Sequence, residues 1–62
     1  RISYELVQKA AMAGTPILAA IGAPSTAAIE LAEATGMTLV GFVRHDRLNV
    51  YTYPERVRSK ND

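Results

Sequence analysis

An α/β fold with the element order αβαββ follows from three features of the sequence. Two segments with helical spacing of apolar residues each end at a glycine, each is followed by a short continuous apolar run, and a stretch with period-two alternation comes last. Helices alternating with apolar runs imply a layered α/β sheet.

The first helix is predicted from about Tyr4 to Ala13. Ser3 is placed to cap it by accepting from an orphan amide of the first turn, and Glu5 suits the positive end of the helix dipole. Leu6, Val7, Ala10, Ala11 and Ala13 form its apolar face. Gly14 fits the position just past the helix, and Pro16 prevents continuation. The run Pro16-Ile17-Leu18-Ala19-Ala20-Ile21 then reads as a strand buried on both faces, bounded by Gly22-Ala23-Pro24. Ser25 is the expected N-cap of a second helix over Thr26 to Ala34, with Glu30 and Glu33 in solvent and Ala28, Ile29, Leu31 and Ala32 against a sheet. Thr35-Gly36 ends that helix.

Met37 to Val43 reads as another buried strand, which makes a βαβ unit with a right-handed crossover expected. After a polar turn at Arg44 to Arg47, the alternation in Leu48-Asn49-Val50-Tyr51-Thr52-Tyr53 predicts the second arm of a hairpin. Leu48, Val50 and Thr52 would share one face, and Asn49, Tyr51 and Tyr53 the other. Pro54 breaks the ladder. Residues 1–58 are thus read as one α/β fragment and residues 59–62 as a frayed tail. Three strands and two helices leave apolar surface uncovered, so the sheet is expected to belong to a larger one. The start at Arg1, without a methionine and leading straight into a helix, is read as a cut from a longer polypeptide.

Composition limits the chemistry. A chain of 62 residues is one small domain at most, and at this size folding buries only about 60% of the unfolded surface. With no cysteine, this stretch has neither disulfides, thiolate metal sites nor a Cys nucleophile; its one histidine, His45, cannot build a zinc site by itself. The longest apolar run is too short to cross a bilayer, and no signal-peptide pattern precedes it, so no membrane association is expected. The formal charge is only +1, which argues against a nucleic-acid partner, yet Arg44, His45, Arg47, Arg56, Arg58 and Lys60 all lie in the last third. That clustering suits a local anion better than a long duplex.

Several places deserve comparison as sites. Arg44, His45 and Arg47 form either a basic anion-binding turn or an ordinary solvated hairpin tip. Ser25 and Thr26 open a helix where amides can hold an anion, but N-capping alone accounts for Ser25, and the segment lacks the lysine and glycine spacing of a phosphate loop. Tyr51 and Tyr53 either stack on a base or pack against another layer. Glu30 and Glu33, one helical turn apart, read as a solvated face. Arg1 is a further candidate for anion contact.

Three strings, in order and with compatible spacing, carry a family resemblance: Arg1-Ile2-Ser3-Tyr4-Glu5-Leu6-Val7-Gln8-Lys9-Ala10; Ala23-Pro24-Ser25-Thr26 with Ile29-Glu30-Leu31-Ala32-Glu33; and Thr38-Leu39-Val40-Gly41-Phe42-Val43-Arg44 with Asn49-Val50-Tyr51-Thr52. Their succession resembles the C-terminal part of FdhD-type formate dehydrogenase accessory sulfurtransferases. The resemblance implies a cytidine-deaminase-like, three-layer α/β/α fold and a cytoplasmic protein. Such a protein takes sulfur from a cysteine desulfurase and passes it to the guanine dinucleotide form of the molybdenum cofactor (bis-molybdopterin guanine dinucleotide), for insertion into apo formate dehydrogenase. The sulfur-carrying cysteine of that family lies N-terminal to the region matched here, so these residues alone would not be catalytic. The family's nucleotide-binding segment falls on Phe42, Val43, Arg44, His45, Asp46 and Arg47, where this sequence has His45-Asp46 in place of the family's frequent glycine or small residues. Phe42 offers a flat face, Arg44 and Arg47 offer charge-assisted bonds to phosphate, and Asp46 offers a carboxylate to adjacent N–H donors such as those of guanine; GDP would mimic the nucleotide. The competing expectation is a non-enzymatic α/β interaction module whose apolar sheet mediates assembly; under either expectation the exposed sheet surface suits a homodimer.

Overall fold

The computed structural model describes residues 1–44 and 46–57. His45 and the tail expected at 59–62 lie outside the described residues. The order is α1 (Tyr4–Met12), β1 (Ile17–Ile21), α2 (Thr26–Thr35), β2 (Thr38–Arg44), β3 (Arg47–Val50) and a short 3₁₀ turn (Pro54–Arg56). This is the αβαββ order that the sequence predicts.

Both helices start and stop by local chemistry. The Ser3 hydroxyl accepts from the Leu6 amide at 3.2 Å, and the Ser25 hydroxyl accepts from the Ala28 amide at 3.1 Å. Each hydroxyl satisfies one of the amides that a helix start leaves without a partner. Gly14 and Gly36 take left-handed conformations (φ +77° and +75°). There the chain reverses, and the amides of Thr15 and Met37 reach back to the carbonyls of Ala10 and Ala32 at 3.0 and 2.9 Å.

The sheet order is β1-β2-β3, parallel between β1 and β2 and antiparallel between β2 and β3. Both helices cover the same face. Val7 from α1, Ala28 and Ala32 from α2, and Leu39 from β2 are fully buried in one cluster with Ile2 and Met37, and Leu18, Ala20 and Tyr51 pack against it. Ile2 joins the sheet as an isolated parallel bridge to Pro24: its amide donates to the Ala23 carbonyl and its carbonyl accepts from the Ser25 amide, both at 3.0 Å. The segment ahead of α1 is therefore pinned beside the exit of β1, which the sequence reading did not anticipate.

Three expectations are corrected. β1 is not buried on both faces: Leu18 and Ala20 are half-buried under the helices, whereas Ile17, Ala19 and Ile21 on the opposite face are exposed. A continuous apolar run reports that both faces are apolar, not that both are covered by the same segment of chain. The described residues form two layers, helices on a sheet. On α1, Leu6 and Ala13 are exposed, because the stripe that meets the sheet centres on Val7 with Ala10 and Ala11 half-buried.

The third correction concerns the hairpin. β3 ends at Val50, three residues short of the expected Tyr53. Thr52 is 3% exposed, and its hydroxyl takes the place of a backbone rung, accepting from the Leu39 amide at 2.8 Å and donating to the Met37 carbonyl at 2.6 Å. Tyr53 then turns to φ +43°, and its hydroxyl donates to the Glu33 carbonyl at 2.7 Å. The following 3₁₀ turn brings Arg56 back across the opposite end of the sheet from the hairpin tip. Its guanidinium donates to the Gly36 carbonyl (2.7 Å) and to the Thr38 hydroxyl (3.0 Å), while Thr38 donates to the Tyr53 carbonyl (2.7 Å). Every buried side-chain nitrogen or oxygen among the described residues has a partner.

Candidate functional site

Open α/β sheets bind ligands at the carboxyl ends of their parallel strands, where loops diverge and backbone groups lose their ladder partners. Here those ends are Ile21 of β1 and Phe42 to Arg44 of β2, with Ile21 and Phe42 directly paired. Ile21, Phe42, Val43 and Arg44 line a concavity of about 420 Å³, within the range of small-molecule sites. Three of these four lining residues are apolar, and Arg44 is the exception. Phe42 is half-buried, so its position is set by packing, while Val43, Arg44 and Ile21 are exposed.

The tip of the β2–β3 hairpin adds charge. Register runs Val40 to Val50, Gly41 to Asn49 and Phe42 to Leu48, then slips so that Arg44 stands opposite Arg47. Val43 is the extra residue in that step. Such an irregularity bends a strand and re-aims the side chains beyond it. Its result here is two guanidinium side chains, both exposed, on directly paired positions. Like charges directly opposite destabilise an antiparallel pair, so the two guanidinium groups repel each other across the hairpin tip.

Of the six residues assigned from sequence, Phe42, Val43 and Arg44 line the concavity, and Arg47 joins Arg44 at the hairpin tip. Asp46 is exposed in the turn and is not part of the lining; His45 lies outside the described residues. Ile21 was missed. The signal was its place at the carboxyl end of a parallel strand, immediately before Gly22.

The other candidates are spread more widely. The Ser25 hydroxyl is engaged in capping α2, and Thr26 is exposed on its first turn. Tyr51 packs into the core side of the sheet and Tyr53 is tied to Glu33, so the two do not form one stacking face. Glu30 and Glu33 are both exposed on α2. The backbone of Arg1 passes Gly22 and thus sits at the same end of the sheet as the concavity. A second hollow of about 230 Å³ lies at the opposite end, between Gly14, Pro16, Gly36 and Arg56. Among the described residues no cluster of three or more His, Cys, Asp or Glu side chains is arranged to hold a metal ion, and no helix is long and apolar enough to cross a membrane.

The chain is similar in sequence and in shape to known proteins. The sequence model of the FdhD/NarQ family matches residues 1–58. A protein called sulfur carrier protein FdhD from Nocardia farcinica is 59% identical over 59 residues, which are 95% of this chain and 21% of that protein. Its namesake from Sulfolobus acidocaldarius is 60% identical over 57 residues, 92% of this chain and 22% of that protein. A crystal structure of a formate dehydrogenase accessory protein from Desulfotalea psychrophila superimposes with a TM-score of 0.85 at 38% identity, over 94% of this chain and 26% of that one. This chain thus spans about a fifth of the length of the curated relatives it matches. From the order of elements, the shape of the sheet and the extent of these matches, the chain belongs to the FdhD/NarQ family.

Proposed function

We propose that this chain is the nucleotide-binding part of a cytoplasmic sulfur carrier that prepares the molybdenum cofactor for formate dehydrogenase. The names of its relatives support the sulfur-carrier role. The observation that carries the nucleotide reading is the apolar concavity at the strand ends with the Arg44–Arg47 pair beside it. A guanine ring suits the Phe42 face and the apolar wall, and a diphosphate suits two guanidinium groups, which present fixed forks of N–H donors. Asp46, exposed in the turn and outside the lining, is left without a role in this reading.

The residues present fit the nucleotide end of bis-molybdopterin guanine dinucleotide; its metal end supplies the sulfur-accepting chemistry. Phe42 and Ile21 exclude water from the base, and Arg44 and Arg47 offset phosphate charge. None of these groups transfers sulfur, and the chain has no cysteine. Under this reading the persulfide sits elsewhere in the longer protein, with a cysteine desulfurase as sulfur donor and apo formate dehydrogenase as recipient. Calorimetric titration of the full-length protein with GDP tests the proposal. Saturable binding is expected, and a heat trace matching the buffer blank would sink it.

The uncovered sheet face favours a second reading, assembly through that face into a homodimer. Ile17, Ile21 and Leu48 are 41%, 83% and 42% exposed on this stretch, which spans about a fifth of its relatives' length, an apolar face that either a second copy or the rest of the longer protein would cover. Sedimentation of the full-length protein separates the two. Concentration-dependent dimerisation unaffected by GDP is the outcome for assembly, and a monomer at all concentrations counts against it.

A further inference from the structure

Gly41 lies in the middle of β2, where a strand gains nothing from a residue without a side chain. Its surroundings explain the choice. A Cβ built on Gly41 would collide with the carbonyl oxygen of Gly22 and stand 3.0 Å from Cε2 of the Tyr51 ring. The Gly22 oxygen is backbone and cannot swing aside as the end of a long side chain would. Gly22 itself has φ +105°, a conformation that side-chain-bearing residues rarely adopt, and its amide donates to the Phe42 carbonyl at 3.0 Å. The chain leaving β1 therefore closes down on β2 at Gly41, and that closure holds Ile21 in register with Phe42, the two residues that form the apolar wall of the concavity.

We infer that Gly41 is a positioning residue for this site: its missing side chain lets the exit of β1 seat on β2, so that Ile21 and Phe42 meet at the width a flat ring requires. Gly41 touches no ligand and acts through Gly22 and Ile21. The inference rests on the nucleotide reading for its ligand, but the seating itself is a property of the chain.

The test compares two alanine variants of the full-length protein. Gly14→Ala puts a side chain into open space at φ +77°, at the far end of the sheet. It lowers stability by backbone strain without approaching the wall. Gly41→Ala is expected to raise the Kd for GDP about tenfold or more, whereas Gly14→Ala leaves it within about twofold. A Gly41→Ala protein that is folded by near-ultraviolet circular dichroism and binds GDP as the parent does would overturn the inference. If the parent binds no GDP, the proposed function fails, and amide hydrogen exchange at Gly22 decides the seating instead. Exchange faster in Gly41→Ala than in Gly14→Ala supports it, and equal exchange refutes it. Should Gly41→Ala not fold, Ile21→Ala removes the same wall at a residue 83% exposed. Loss of GDP affinity is expected there, and unchanged affinity would refute the role of the wall.

Discussion

Thr52→Val is expected to destabilise the protein by about 2–4 kcal/mol while leaving the shape of residue 52 almost unchanged, because each buried polar group left without a partner costs about 1–3 kcal/mol. The hydroxyl serves two backbone groups at once, the Leu39 amide and the Met37 carbonyl, in a position 3% exposed. Water cannot replace it without opening the sheet against the helices. Valine fills the same volume and satisfies neither group. Thr52→Ser keeps the hydroxyl and loses one buried methyl, so it should cost only about 1 kcal/mol. Urea midpoints of the two variants in the full-length protein check this ordering. A valine variant as stable as the serine one would mean that the side chain is not acting as a rung of the sheet.

The combined Arg44→Ala and Arg47→Ala substitution carries the second large effect, a loss of GDP affinity of about a hundredfold, since a hydrogen bond to a charged group contributes about 1.5–3 kcal/mol and two are removed at exposed, partly screened positions. Unlike the Thr52 change, this one should not reduce stability. Removing two like charges from directly paired positions relieves repulsion, so the urea midpoint should stay level or rise slightly. The parent's affinity should also fall with added salt, and the double variant's should fall less. Affinity retained in the double variant would remove the hairpin tip from the site.

The parts of this fold that were legible from sequence are those decided within a few residues. Ser3 and Ser25 cap the helices they precede, and Gly14 and Gly36 end them, because capping and left-handed turns depend on near neighbours. The parallel pairing of the two apolar runs followed from the helix between them. What was not legible depends on distant partners. The alternation through Tyr53 still points to a strand, but Thr52 found Met37 and Leu39 with its hydroxyl, a competition between side chain and ladder that periodicity cannot register. The exposed face of β1 could not be inferred from Ile17 to Ile21, since an apolar residue looks the same under a helix or in the open.

The site divides in the same way. Phe42, Val43, Arg44 and Arg47 fall within six consecutive residues that the family resemblance singles out. Ile21 comes from another strand and joins them only through the parallel register. Gly41 was part of a matching string, yet its contact with Gly22 spans a βα crossover and leaves no mark on local pattern. Three-dimensional closeness, rather than any motif, unites these residues.

Under the proposed function, a guanine nucleotide binds at the carboxyl ends of the parallel strands. Amide chemical-shift mapping of the isotope-labelled full-length protein, titrated with GDP, tests it most directly. The largest shifts are expected at Ile21, Phe42, Val43, Arg44 and Arg47. Shifts confined to Thr15, Gly36, Met37 and Arg56, around the hollow at the opposite end of the sheet, or none within this chain at saturating GDP, would contradict it.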